Sequence, residues 1–187
     1  MVKTIVIIAV VVLVVLWVIS IYNNLVRLRN NRANAFSNID VQLKQRYDLV
    51  PQLVATVKGY AKHEKELLEA VTAARSACMS ATSVNDKIAA DNLLSSALTG
   101  LKVSVEAYPE LKANQNFLQL QTELSDIENK LAATRRFFNS TTRELNNAVQ
   151  TFPGNLLAGA FGFQTEPMFE IAQENRAAME KAPEVSF

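Results

Sequence analysis

Between Lys3 and Arg27 the chain carries no charge, and Ile5 to Ile19 is an unbroken apolar run. The 23 residues Thr4–Val26 would extend about 34 Å as a helix, against a hydrocarbon core of about 30 Å. Only a helix satisfies all its own backbone groups in lipid, so the many β-branched Ile and Val do not argue for a strand. Trp17 and Tyr22 stand towards the downstream end, where amphipathic rings favour the interface. The reading is a single transmembrane anchor over residues 1–26, with Ile5, Val11, Leu16, Trp17, Ile19 and Tyr22 as its anchor side chains.

A cleaved signal peptide is the competing reading. It would be shorter and end in small residues, whereas this run ends Trp17-Val-Ile-Ser-Ile-Tyr22, and the single cysteine, Cys78, lies far from a lipoprotein position. The segment is therefore expected to stay attached, crossing its membrane once. Lys3 lies upstream, while Arg27, Arg29 and Arg32 follow before any acid. That bias places the rest of the chain in the cytoplasm, with the periplasm as the alternative.

Beyond the anchor, low Gly and Pro content and abundant Ala, Leu, Asn, Gln and Glu point to helices. Helix periodicity predicts elements over about 22–60, 62–80, 86–105 and 109–151. The first continues from the membrane, with Phe36, Ile39, Leu43, Tyr47, Val50, Leu53 and Val57 on one stripe and a kink or restart expected at Asp48–Pro51. Leu67, Leu68, Val71, Ala74 and Cys78 form the apolar face of the second. Asn85 or Asp86 is expected to cap the third, with Ile88, Leu93, Leu94, Ala97, Leu98 and Leu101 inward. In the last, Phe117, Leu120, Leu124, Ile127, Leu131, Thr134, Phe138, Thr141 and Leu145 trace a heptad seam. The predicted fold class is all-α: an N-terminal transmembrane helix continuous with an up-and-down antiparallel four-helix bundle, residues 27–152. Residues 153–171 follow as a membrane-proximal or bundle-capping apolar segment, and 172–187 as a flexible acidic tail.

Little here suggests chemistry. One His and one Cys make no zinc set. His63 reads as an exposed residue at a helix start, and Cys78 as a small core residue. Arg135-Arg136 with Glu123 and Glu128 reads as an ion network or a solvated face, and Asp40, Lys44 and Asp48 as structural i,i+4 pairs. No nucleotide or phosphate loop is present. The formal net charge of +1 excludes the basic surface of a nucleic-acid binder. No catalytic residue, cofactor or metal is expected.

Several strings in order resemble the LemA family: Tyr22-Asn-Asn-Leu-Val26 through Arg29, Ile39-Asp-Val-Gln-Leu43, Arg46-Tyr-Asp-Leu-Val-Pro51 and Val57-Lys-Gly-Tyr-Ala-Lys-His-Glu64. The match continues through Ala74-Arg75, Tyr108-Pro-Glu-Leu-Lys-Ala-Asn114, Glu128, Arg135-Arg-Phe-Phe-Asn139 and Phe152-Pro-Gly-Asn155. The resemblance implies one membrane helix and a helical bundle. Through a branch tied to magnetosome membrane formation, it also implies a part in membrane organisation. It brings no catalytic residues.

The leading functional expectation is a non-catalytic, membrane-anchored scaffold that self-associates and organises or remodels the bilayer. The second is an adaptor presenting a client to another membrane protein, such as an envelope protease. Expected partners are membrane lipid and further copies of the chain. Helices of about 39 and 42 residues outreach ~20-residue neighbours by about 30 Å. The stripe near Phe36, Ile39, Phe138 and Leu145 is therefore expected to lack cover within one chain and to mediate self-association. Leu156, Leu157, Phe161 and Phe163 are the membrane-contact candidates, with plugging of the bundle's end as the alternative.

Overall fold

The computed structural model describes residues 1–61 and 64–169. His63, Ile171 and the acidic tail lie outside them. Every regular element among the described residues is a helix. In chain order these are α1 (Val2–Tyr60), α2 (Lys65–Ser80), α3 (Val84–Val105), α4 (Pro109–Lys112), α5 (Gln115–Gln150) and α6 (Gly154–Leu157). Two compact units divide them: Met1–Asn38 with Thr134–Met168, and Ile39–Ala133 with Phe169.

α1 is a single helix of 59 residues, and neither the end of the apolar run nor Pro51 interrupts it. Pro51 has no N–H, so the Tyr47 carbonyl four residues earlier loses its helical donor. Arg75 on α2 replaces it, its Nε donating to the Tyr47 oxygen at 2.8 Å. The expected restart at Asp48–Pro51 is thus averted by a side chain from another helix.

In the second unit one core gathers Val50, Leu53 and Val57 of α1, Leu68 and Val71 of α2, and Leu94, Leu101 and Val105 of α3. Leu111 of α4 and Phe117 and Leu120 of α5 complete it. α3 is capped by Ser83, whose hydroxyl accepts from the Asp86 amide at 3.1 Å. The cap therefore precedes Asn85 and Asp86, because a serine hydroxyl reaches the third amide of a first turn. Leu93, expected inward, is exposed. The helix expected over 109–151 is two, because the Asn114 side chain accepts from the Phe117 amide at 3.0 Å and starts α5 afresh. The α5 seam from Phe117 to Leu145 is buried or half-buried throughout.

In the first unit α1 and α5 run antiparallel. The Phe36 ring meets Phe138 with centroids 5.6 Å apart, Arg32 reaches Thr142, and Leu25 lies among Ala148 and Val149. After α5 the chain turns at a cis Phe152–Pro153 bond and runs back along the same two helices. The turn has no room for a side chain at Gly154, where a Cβ would stand 2.0 Å from the Ala148 carbonyl oxygen.

Candidate functional site

The apolar stretch of α1 is long and apolar enough to cross a membrane, and none of it is buried within the protein. Ile5, Val11, Leu16, Trp17, Ile19 and Tyr22 are all exposed. Where this stretch ends, the returning segment closes on it. Tyr22 meets Phe161 edge-on at 5.0 Å and Phe163 at 6.1 Å, a favoured geometry for aromatic pairs. Phe163 is buried with Leu25 and Ala158, flanked by Ile21, Val26, Ala148 and Val149. The Arg29 guanidinium lies 5.0 Å from the centre of the Phe163 ring.

Farther from the apolar run, Arg32 fastens the same segment. Its Nε donates to Thr142 Oγ1 at 3.1 Å and its Nη2 to the Pro167 carbonyl at 3.2 Å. Nη2 also pairs with Glu166 at 3.3 Å, and the guanidinium covers the Phe138 ring at 4.9 Å. Burial pulls the Arg32 pKa below its ordinary value, and Glu166 partly offsets this. Asn146 adds two bonds, donating to the Glu166 carbonyl and accepting from its amide.

These contacts sort the four membrane-contact candidates. Leu156 and Phe161 face outward, Leu157 is half-buried, and Phe163 belongs to the interior. They also overturn the expectation of an uncovered stripe. Ile39, Phe138 and Leu145 are buried within the single chain, and Phe36 is half-buried against Phe138. The length argument counted only helices, whereas the segment through Glu166 and Pro167 also lies against Arg32 of α1 and Asn146 of α5.

The second unit holds a buried ion cluster. Arg46 of α1 donates through Nη1 to Asp91 at 2.9 Å and Ser95 at 2.8 Å on α3, and through Nη2 to Glu128 at 2.6 Å on α5. Arg46 and Asp91 are 2% and 1% exposed, against 57% for Glu128. Beside them Cys78 is half-buried, its pKa pushed up to about 11 by burial first, then by Asp91, against the opposing Arg46. Such a thiol is unreactive near neutrality. Among the described residues no group of three His, Cys, Asp or Glu could hold a metal ion.

Two surface grooves lie on this unit. One of about 580 Å³ has Leu53, Leu98, Leu101, Phe117 and Leu124 in its lining, and Glu128 at its edge. The other, about 740 Å³, lies between α1 and α2 with Val54 and Leu68 among its apolar walls.

Sequence reading missed Asp91, and it treated Arg32 and Arg46 only as charges or motif letters. A signal existed. Arg46 lies at three- and four-residue steps from Leu43 and Val50, and Asp91 three residues from both Ile88 and Leu94, so each puts a charge on an apolar stripe.

The LemA family model matches residues 35–187. This chain belongs to the LemA family. It is 28% identical over 155 residues to Protein LemA of Metamycoplasma hominis, an alignment covering 82% of this chain and 71% of that protein. It is also 30% identical over 82 residues to the magnetosome protein MamQ of Magnetospirillum gryphiswaldense, covering 44% of this chain. The alignment spans only 30% of the length of that magnetosome relative. For this LemA-family chain the family match includes the Arg46 cluster, and it begins after the apolar run and after Arg32.

Proposed function

We propose that this protein is a non-catalytic, membrane-anchored scaffold whose helices form an up-and-down antiparallel bundle, and which self-associates to organise or remodel the bilayer. The observation that supports it is the unbroken course of α1. An apolar stretch of membrane length passes without a linker into the helix that carries Arg46 and the second core. A tethered enzyme or ligand-binding domain is commonly joined to its anchor by a flexible segment, and its function does not require a shared helix.

Self-association is assigned to surfaces other than the buried Ile39 and Phe138. Leu93 and Val103 on α3 and Leu118 on α5 are exposed apolar residues of the second unit. Mass photometry of the full chain, extracted with native lipid, is expected to give a homo-oligomer that Leu93→Asp with Val103→Asp reduces in size. A monomeric wild type would refute the scaffold. The adaptor reading draws on the two apolar-lined grooves, and it predicts a second protein in the same particles.

The positive residues after the span favour a cytoplasmic bundle. In a Cys78→Ser background, Ser96→Cys should resist an impermeant maleimide on intact cells whose outer membrane, if any, is permeabilised. Labelling would mean the opposite orientation. The relation to the magnetosome protein MamQ supports a role at membranes.

A further inference from the structure

The turn after α5 leaves its outward face bare beside the apolar run of α1. Phe152 is 73% exposed, Leu156 63% and Phe161 41%, while Phe163 is 5% exposed and fills the interior behind them. All three bare side chains lie between residues 152 and 161, around α6, with Gly154 buried at its start. A bare apolar group continuing an exposed apolar run marks a contact.

Position decides what it contacts. The Phe161 ring lies 5.0 Å from Tyr22, and Tyr22 precedes Val26, the end of the uncharged stretch, by about 6 Å of helix rise. Phe161 therefore stands at the level where α1 passes from the acyl region into the headgroups. Phe152 follows Val149, a neighbour of the Leu25 core, just past the end of α5 at Gln150, the end of α5 nearest the span.

Charge agrees with that level. Arg27 and Arg29 are exposed one to two turns beyond Tyr22, and no acidic residue precedes Asp40. Glu166 does come back to this unit, but it pairs with Arg32 farther along the helix. The resulting order runs apolar span, aromatic ring, two arginines. It matches acyl chains, the interface and phosphates.

We infer that Phe152, Leu156 and Phe161 form a second, monotopic membrane contact, seated in the headgroup–acyl boundary with Arg27 and Arg29 at the phosphates. This rests on α1 spanning the bilayer. The chain then meets the membrane twice, once through the helix and once through a wedge beside it in the same leaflet. Side chains inserted to this shallow depth occupy area among headgroups without reaching the opposite leaflet.

The test uses the full chain in vesicles of phosphatidylcholine and phosphatidylglycerol, with a nitroxide on single cysteines in a Cys78→Ala background. Phe152→Cys, Asn155→Cys and Leu156→Cys probe the turn, all at exposed positions that a label does not unpack. Val12→Cys reports the span, and exposed Ser140→Cys, about 18 Å back along α5, reports water. Labels at 152 and 156 should relax more with oxygen than with a water-soluble nickel chelate, as at 12, and Ser140→Cys should show the reverse. Aqueous behaviour at 152, 155 and 156 with a lipid-exposed position 12 would overturn this inference and leave the anchor intact. An aqueous position 12 would overturn the anchor itself. Labels at the turn closed to both reagents, with dipolar broadening, would place a second copy there instead of lipid and overturn the proposal, as would closure without broadening.

Discussion

Removing Arg46 by Arg46→Met tests what holds the second unit together. The methionine keeps an unbranched apolar stem but strips the cation from Asp91, which is 1% exposed. Removing one member of a buried pair costs at most about 3–5 kcal/mol. Glu128, 57% exposed, can return to water, so Glu128→Gln should cost no more than about 1 kcal/mol. Hydrogen–deuterium exchange of the α3 amides around Asp91, measured in nanodiscs, reads the difference. At 1.36 kcal/mol per tenfold, Arg46→Met should lower protection by between one and about three and a half orders of magnitude. Arg46→Met with Asp91→Leu removes both charges and should recover most of the loss, since apolar replacement of a buried pair is often neutral. Less than a tenfold loss in Arg46→Met, or an equal loss in Glu128→Gln, would refute the cluster as a structural lock.

Three further expectations follow from named contacts. Arg75→Met should cost about 1–3 kcal/mol by orphaning the Tyr47 carbonyl, and Pro51→Ala should remove most of that penalty by restoring a backbone donor, as a double-mutant cycle in denaturant would show. The Cys78 pKa of about 11 against an ordinary 9.0 predicts thiol labelling near pH 8 about 100-fold slower than for a free thiol. The fold favours the neutral thiol, so its stabilising contribution is full below pH 9 and is lost as pH rises through about 11, which unfolding midpoints across that range would reveal. Arg32→Lys keeps the charge but loses the planar fork that serves Thr142, Pro167 and Glu166, so limited proteolysis should cut within residues 151–168 of this variant and spare the wild type.

Much of the helical layout was legible because it is periodic and local. The charge-free run, the stripe from Phe36 to Val57 and the α5 seam each repeat at helix spacing, and the polar stretch after Ser80 breaks it. Asn114 was harder, because an asparagine between two helix-compatible stretches shows its capping role only when its side chain turns back on the Phe117 amide. The strap was not legible at all. Glu166 and Pro167 reach Arg32 across more than a hundred residues, through single polar contacts that leave no periodic trace. Ile39 and Phe138, expected bare, are buried. The Arg46–Asp91 pair was half legible, as a charge misplaced on each of two apolar stripes.

The pairing of α1 with α5 also fixes a waiting time. Arg32 and Thr142 are 110 residues apart, and at about 5–20 residues per second a ribosome needs roughly 5–20 s to deliver the second after the first. Throughout that interval Leu25, fully buried in the finished protein, lacks the Ala148, Val149, Ala158 and Phe163 that enclose it. The clasp at Pro167 arrives later still. A nascent chain stalled before α5 would sit in the membrane with its longest apolar stripe open, a state that chaperones, proteases or a neighbouring nascent copy can read. Shielding early and completing late is therefore a demand that this topology places on the cell, independent of how stable the finished molecule is.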